Sequence, residues 1–173
     1  FLYKIGVKGM SVTTPFKRTV LNDSKFGCEI SKQTNAYNTI KCDNHTLYNT
    51  DVLAVMDILN ELPSGLKSHN IVIMGHGGVG IPVSYACSKQ TQHSIYLYNR
   101  SPICKSKRTT NITYCNPNDT IEQPYILINT TSIESTDWIY PIQYDNLTLC
   151  CLCIDFFKGN DTGLTRAIKH LNI

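Results

Sequence analysis

The amino-acid sequence predicts an α/β fold built on a doubly wound, mostly parallel sheet. Ile71–Met74 is a short apolar run typical of a buried strand, and a turn that contains four glycines follows it. A helix is predicted from Val79 to Lys89, and a second strand from Ser94 to Tyr98. Because strands and helices go on alternating after Asp51, the sheet is expected to be parallel, with helices on both faces.

The chain before this unit predicts shorter elements. Lys8–Lys17 is expected to be a strand that stops at Pro15 and opens a helix, since proline suits a first helical turn. Asn35–Cys42 is predicted as a strand. Thr50 and Asp51 are good N-cap residue types, and apolar positions at helical spacing follow them, which predicts a helix there.

The chain after Ser101 predicts fewer elements. It is polar as far as Pro124, and no strand or helix is predicted in that stretch. Tyr125–Ile128 and Leu147–Ile154 are predicted as the third and fourth strands of the sheet. Thr162–Leu171 is predicted as a last helix, with apolar residues along one face.

The glycine-rich turn points to a dinucleotide site. A strand, such a turn and a helix form the unit that binds a pyrophosphate at a helix N-terminus, where a Cβ would hold the phosphates away from the backbone N–H groups. The candidate residues are Gly75, His76, Gly77, Gly78 and Val79. The spacing G-x-G-G-x-G is taken as a departure from the strict G-x-G-x-x-G pattern, so a purely structural turn remains the alternative.

The end of the second strand indicates which dinucleotide. Where an NAD enzyme usually carries an acidic residue for the ribose, this chain has Asn99, Arg100 and Ser101. An arginine there suits a 2′-phosphate, so the predicted cofactor is NADP. Lys105 could add positive charge, and its alternative is a solvated loop.

Composition narrows the classes of protein and of partner. The 173 residues suffice for one ordinary domain or for parts of two. The net charge of +3, with no basic stripe interleaved with aromatics, predicts no nucleic-acid partner. No apolar run approaches the ~20 residues of a membrane span, which predicts no membrane partner. No signal peptide is visible, which predicts a cytoplasmic protein, although Phe1 is no natural start and the true N-terminus is expected to be missing.

The eight cysteines predict no metal site and no disulfides. Cys150 and Cys153 have C-x-x-C spacing, but they lie in the run predicted as the fourth strand, where cysteine behaves as a small hydrophobe. No second spaced pair completes a zinc site. Reduced thiols in a cytosolic protein are the simplest account.

Six short motifs follow one another over nearly the whole chain: Ser11–Lys17, Ala36–Ile40, Asn49–Asp51, Gly75–Gly78, Asn99–Ser101 and Asn129–Ser132. In that order they match N-V-T-x-P-x-K, A-V-N-T-L, N-T-D, G-x-G-G, N-R-T and N-A-T-S. Together they resemble the shikimate dehydrogenase family, which carries these motifs in the same order.

The resemblance implies a doubly wound Rossmann-like NADP-binding domain at residues 51–173, plus part of an α/β substrate-binding domain at residues 1–50. It implies reversible reduction of 3-dehydroshikimate to shikimate by NADPH, a step of aromatic amino-acid biosynthesis, in a monomer or homodimer with a small-molecule substrate. Lys17 and Asp51 would be the catalytic pair, since an ammonium beside a carboxylate stays charged and can deliver a proton. Without the family, Lys17 is a surface lysine and Asp51 a helix cap.

The remaining family roles are also carried by the motifs. Thr13, Asn38 and Asn49 would bind the ring hydroxyls of the substrate, and Thr130 and Ser132 would lie at the cofactor.

The sequence also departs from the family pattern. Members are longer, so the chain is expected to lack a serine pair before Phe1 and a substrate-binding glutamine after Ile173. Ser11 replaces the usual asparagine, and Asp155–Phe157 stands for the late motif that carries a substrate-side tyrosine, so that hydroxyl is expected to be absent. Two alternatives therefore stay open. One is a non-catalytic or degenerate nucleotide-binding remnant of the family, and the other is a quinate/shikimate dehydrogenase-type relative.

Overall fold

Two separate sheets organise the chain in the computed structural model. One is a small antiparallel sheet from the first 50 residues, and the other is a five-stranded parallel sheet from the rest. The structure describes residues 2–13, 15–18, 27–89, 93–103, 109–116, 118–131, 144–157 and 163–172.

The small sheet has the strand order β1-β2-β3 and is antiparallel throughout. Its strands are β1 (Gly9–Ser11), β2 (Thr39–Lys41) and β3 (Thr46–Tyr48). Short 3-10 helices at Leu2–Ile5 and Phe16–Arg18 flank β1. In an antiparallel sheet the end of one strand lies beside the start of the next. The chain after β1, the chain before β2 and the chain after β3 therefore meet at one edge.

The large sheet carries all of the later strands, in the order β6-β5-β4-β7-β8 with every pair parallel. The strands are β4 (Asn70–Met74), β5 (Ile95–Tyr98), β6 (Ile112–Cys115), β7 (Tyr125–Asn129) and β8 (Cys150–Asp155). The order runs outward in both directions from β4, which is the doubly wound topology, and its switch point lies between β4 and β7. The predicted fold class is confirmed.

Helices cover both faces of this sheet. On one face α2 (Thr50–Asn60) and α3 (Gly80–Lys89) pack over the alternate strand residues that include Ile71, Ile73 and Leu97. On the other face α4 (Gly163–Leu171) and a 3-10 helix, Tyr144–Leu149, cover the residues that point the opposite way. A further short helix, α1 (Glu29–Thr34), packs against α3.

Three sequence expectations need correction or lie outside the described residues. The stretch between Ser101 and Pro124 contains β6, an edge strand with the sequence I-T-Y-C. It was missed because it is only four residues long and polar residues flank it on both sides. The fourth strand begins at Cys150, since Leu147–Leu149 is the end of a 3-10 helix. The helix predicted after Pro15 is described only as Phe16–Arg18, and its continuation lies outside the described residues.

Within the described ranges, no helix combines the length and the apolar character needed to cross a membrane.

Candidate active site

An ion pair between Lys17 and Asp51 lies at the centre of the candidate site. The Lys17 Nζ donates to Asp51 Oδ2 at 2.6 Å, across 34 positions of sequence. The two side chains are only 17% and 20% exposed, so the contact is shielded from most solvent. The predicted approach of the two side chains is confirmed.

Local backbone contacts place Lys17 in this position. The Phe16 N–H donates to the Thr13 carbonyl at 2.8 Å, which folds the chain into a turn just before the lysine. The carbonyl of Lys17 in turn accepts from the Tyr37 N–H at 2.9 Å, next to the start of β2. The turn before Lys17 and the hydrogen bond from Tyr37 therefore hold the backbone of the lysine in place.

Asp51 is placed by the start of α2. Asn49 is the N-cap, and its Oδ1 accepts from the Val52 N–H at 3.3 Å. A carboxylate in the first turn of a helix interacts favourably with the helix dipole. Asp51 is thus positioned both by helix geometry and by the lysine, and its role as a helix cap is taken by Asn49 instead.

Asn38 is buried and holds the same helix start from the other side. Its Oδ1 accepts from the Thr50 N–H at 2.9 Å, from the Thr50 hydroxyl at 3.2 Å and from the Thr39 hydroxyl at 3.1 Å. A backbone N–H can only donate, so the amide oxygen must face Thr50, and the orientation of the side chain is fixed. The Nδ2 of Asn38 is the group left to donate to a ligand.

Asn49 and Thr13 complete this edge of the small sheet. Asn49 is 2% exposed, and its Nδ2 donates to the Ala36 carbonyl at 3.3 Å. Thr13 is exposed and follows Val12, whose N–H donates to the Asn38 carbonyl at 2.6 Å. The structure therefore brings Thr13 and Asn38 together, while both polar atoms of the Asn49 side chain are already used within the fold.

The glycine loop begins with a tight turn at the end of β4. Gly75 has φ +97°, a left-handed conformation that favours glycine, and it is buried. Thr130, which follows β7, locks the turn, because its hydroxyl donates to the Met74 carbonyl at 2.7 Å and its N–H donates to the same oxygen at 2.9 Å. Thr130 therefore shapes the loop from the neighbouring strand.

Two other glycines of the loop have distinct surroundings. A Cβ on Gly80 would overlap the Gly75 carbonyl oxygen and stand 2.7 Å from the Thr130 Oγ1, so α3 begins in close contact with the turn. A Cβ on Gly77 would meet nothing within 4 Å, so the space beside it is open.

These surroundings match the three roles of the dinucleotide fingerprint: a tight turn, close approach of the phosphates, and close packing of helix on strand. Gly75, Gly77 and Gly80 stand at the first, third and sixth positions of G-x-G-x-x-G. The sequence interpretation of this loop as a departure from the strict pattern was wrong, and it left Gly80 out of the candidate residues. The spacing alone would have found it.

The start of α3 leaves backbone donors at the loop. The first intrahelical hydrogen bonds run from the Ile81 N–H to the Gly77 carbonyl and from the Val83 N–H to the Val79 carbonyl, each 3.1 Å. The N–H groups of Gly78, Val79 and Gly80 precede these donors, and such groups at a helix start favour an anion. The Val79 side chain itself packs against the core on that face of the sheet.

The end of β5 lies beside this loop. The Asn99 Oδ1 accepts from the His76 N–H at 3.1 Å, and its Nδ2 donates to the Ser101 carbonyl at 2.8 Å. The His76 ring meets the Tyr114 ring of β6 edge to face, with 6.3 Å between centroids. Arg100 and Ser101 are exposed next to Asn99. Asn99 thus links the glycine turn to the segment that carries Arg100, the residue predicted to bind the 2′-phosphate.

Two predicted cofactor residues, Lys105 and Ser132, lie outside the described residues.

Two of the described cysteines, Cys87 and Cys150, are buried in the core. Cys87 is buried near the end of α3, and burial raises the pKa of its thiol to about 12. Burial likewise raises the pKa of the Cys150 thiol to about 11. No group of three His, Cys, Asp or Glu side chains among the described residues is placed to hold a metal ion.

Comparison with known proteins gives a consistent result. A shikimate dehydrogenase (NADP(+)) of Caldanaerobacter subterraneus subsp. tengcongensis is 31% identical over 145 residues, which are 76% of this chain and 51% of that protein. The crystal structure of shikimate dehydrogenase from Aquifex aeolicus superimposes with a TM-score of 0.78 at 26% identity, over 98% of this chain and 65% of that one. This chain is related to the shikimate dehydrogenases.

The relationship has a definite extent. The chain spans about half the length of the curated relatives it matches. No family model matches it. The structure of shikimate 5-dehydrogenase from Thermus thermophilus, in complex with NADP(H) and shikimate, has a TM-score of 0.74 at 18% identity, over 97% of this chain and 66% of that one. At that identity the likeness to the shikimate dehydrogenase from Thermus concerns the fold.

Proposed function

We propose that the protein is an NADP-dependent oxidoreductase that reversibly reduces 3-dehydroshikimate to shikimate. The observation that carries the proposal is the shielded Lys17–Asp51 pair, which lies against a dinucleotide-type glycine loop. The names of its relatives support the same reaction, since they are shikimate dehydrogenases (NADP(+)). A proton donor held beside a cofactor loop is what ketone reduction requires.

The residues of the loop fit a dinucleotide. The open space beside Gly77 would admit the pyrophosphate, and the N–H groups of Gly78, Val79 and Gly80 would donate to it. His76, Asn99, Arg100 and Ser101 would border the adenosine half, with Arg100 pairing with the 2′-phosphate. Thr130 would lie at the cofactor through its contact with the glycine turn. Lys105 and Ser132 remain predictions from the sequence. When bound, the nicotinamide nucleotide supplies or accepts the hydride.

The chain's own residues would handle the proton and the substrate. Lys17 would donate a proton to the oxygen of the ketone as it gains negative charge, and it would stabilise that charge. Asp51 would hold the ammonium in place through the bond from the Lys17 Nζ to its Oδ2. The Nδ2 of Asn38 and the hydroxyl of Thr13 would hydrogen-bond ring hydroxyls of the substrate.

Asn49 has a different part from the one that the resemblance implies. Both of its side-chain polar atoms already bond within the fold. We therefore infer that it positions Asp51 through the start of α2, and that any bond to the substrate is additional.

We also propose the division of the chain at Asp51. Val52, Val55 and Leu59 of α2 belong to the same core as Ile71 of β4, which assigns that helix to the nucleotide-binding unit. Ala36, Tyr37 and Leu47 are buried but belong to neither core of the large sheet. This supports a substrate-binding unit at residues 1–50 and a nucleotide-binding unit at residues 51–173.

The experiment is a direct assay of the protein. NADPH absorbance is followed in the presence of 3-dehydroshikimate, and the reverse reaction is followed with shikimate and NADP. We expect turnover in both directions and weaker activity with NADH. If the protein binds NADPH but shows no turnover, its function would be that of a nucleotide-binding module. If it prefers quinate, the reaction would stand and the substrate would change.

A further inference from the structure

Gly78 lies directly against the side chain of Lys17. A Cβ built on Gly78 would stand 3.0 Å from the Lys17 Cβ, 3.6 Å from its Cδ and 3.8 Å from its Cγ. The aliphatic stem of the lysine therefore packs on the backbone of the glycine loop. This contact joins the small sheet's unit to the loop of the large sheet at the point where Lys17 meets Asp51.

The backbone at Gly78 does not itself require glycine. Among the described glycines only Gly6 and Gly75 have positive φ, so an alanine could adopt the conformation found at Gly78 or at Gly77. The two neighbours differ in what a side chain would meet, because the space beside Gly77 is open and the space beside Gly78 is filled by Lys17. The stem of Lys17 therefore occupies the space that a side chain at residue 78 would need.

The contact has little room to relax. Its nearest atom is the Lys17 Cβ, which is fixed to the backbone and cannot swing aside as the end of the side chain could. That backbone is held by the bond from the Tyr37 N–H to the Lys17 carbonyl. On the other side, the Gly77 carbonyl is already the first acceptor of α3. A methyl group at residue 78 would therefore separate the loop from Lys17.

We propose that Gly78 is a positioning residue that sets the distance between Lys17 and the nucleotide loop. The catalytic importance of that distance rests on the proposed function, but the contact itself does not. The ammonium would thereby be held at a fixed distance from the loop that would carry the nucleotide, where it could donate a proton to the substrate carbonyl. Gly77 would leave room for the phosphates, and Gly78 would leave room for the side chain of Lys17, the proton donor.

The first test needs no turnover. The apo proteins of the parent, Gly78→Ala and Gly77→Ala are treated briefly with an amine-acylating reagent. The modification of Lys17 relative to the exposed Lys67 is then measured by peptide mass spectrometry. We expect the Lys17/Lys67 ratio to rise in Gly78→Ala, because a shift of the lysine stem would loosen the bond to Asp51 that shields the Nζ, and to stay at the parent value in Gly77→Ala. Equal ratios in all three proteins would overturn the proposal.

The second test is kinetic. In Gly78→Ala we expect kcat for 3-dehydroshikimate reduction to fall roughly 3- to 10-fold, with a smaller change in substrate KM. The loss should stay below the ~100-fold that a 1 Å misplacement can cost, because a 3.0 Å contact is relieved by a shift of a few tenths of an ångström. In Gly77→Ala we expect the main loss in NADPH affinity. A parent protein that shows no turnover would refute the proposed function, while the labelling result would still decide the role of Gly78.

A third measurement covers the case in which Gly78→Ala folds poorly. Replacing Lys17 with glycine removes the carbon that the new methyl group would strike. We expect the Tm lost in Gly78→Ala to be largely recovered in the Gly78→Ala/Lys17→Gly double variant, measured against Lys17→Gly alone. An equal loss of Tm in the parent and in the Lys17→Gly background would show that the new methyl group strikes a residue other than Lys17, and it would overturn the proposal.

Discussion

Replacing Gly80 with alanine tests how closely α3 is set against the end of β4. The new Cβ would overlap the Gly75 carbonyl oxygen and stand 2.7 Å from the Thr130 Oγ1, whereas ordinary contact begins near 3.4 Å. The Gly75 oxygen belongs to the backbone of the turn, and the Thr130 hydroxyl is held by its bond to the Met74 carbonyl, so neither moves aside easily. Overpacking of a well-packed site costs ~1–3 kcal/mol, and the upper part of that range applies here because a backbone atom is struck.

The assay is thermal unfolding of Gly80→Ala beside Gly77→Ala, the matched control whose Cβ meets nothing within 4 Å. A loss of about 2–3 kcal/mol lowers the Tm of a protein of this size by about 4–12 °C. We expect that shift in Gly80→Ala and little or none in Gly77→Ala. If the two variants melt together, the close packing of helix on turn would be refuted, and with it the assignment of Gly80 to the fingerprint.

Three further predictions concern other residues. Arg100→Ala should weaken NADPH binding by roughly 1.5–3 kcal/mol, the scale of a charge-assisted hydrogen bond, and leave NADH binding little changed; equal weakening in a titration would remove Arg100 as the discriminator. Asn38→Ala should lower the free energy of unfolding by ~1–3 kcal/mol, because the Thr50 N–H loses its acceptor. Asn38→Asp keeps that oxygen, so its free energy of unfolding should fall less; equal losses for the two variants in urea unfolding would contradict this. Burial raises the pKa of the Cys87 thiol from 9.0 to about 12, so above about pH 9 unfolding releases a proton and the free energy of unfolding should fall as the pH rises. In urea unfolding, Cys87→Ala should show a shallower fall with pH than the parent. An unchanged slope would contradict the burial of that thiol.

The large sheet was predictable because its signals are local. The apolar run before the glycines, the glycine turn itself and the helical stretch after it lie next to one another in sequence. They became β4, the loop and α3 with nearly the expected bounds. β6 was missed because its four residues, at the shortest length at which alternation can be recognised, stand between polar stretches.

The candidate site was predictable in part. The motif spacing predicted that Lys17 and Asp51 approach each other, and they do. The bonds of Asn38 to Thr50 and the contact of Gly78 with Lys17 could not be predicted, because they depend on how distant segments of chain come together. A motif names the residue types at a site, but it does not say which of their atoms the fold has already used.

The most direct test of the central claim is the kcat of Lys17→Ala for the reduction of 3-dehydroshikimate by NADPH. General acid–base catalysis typically contributes ~10²–10⁴-fold, so kcat should fall by about that factor. NADPH affinity, measured in the same preparation, should change little, since proton donation matters mainly in the transition state. A Lys17→Ala protein that reduces 3-dehydroshikimate at the parent rate would contradict the account.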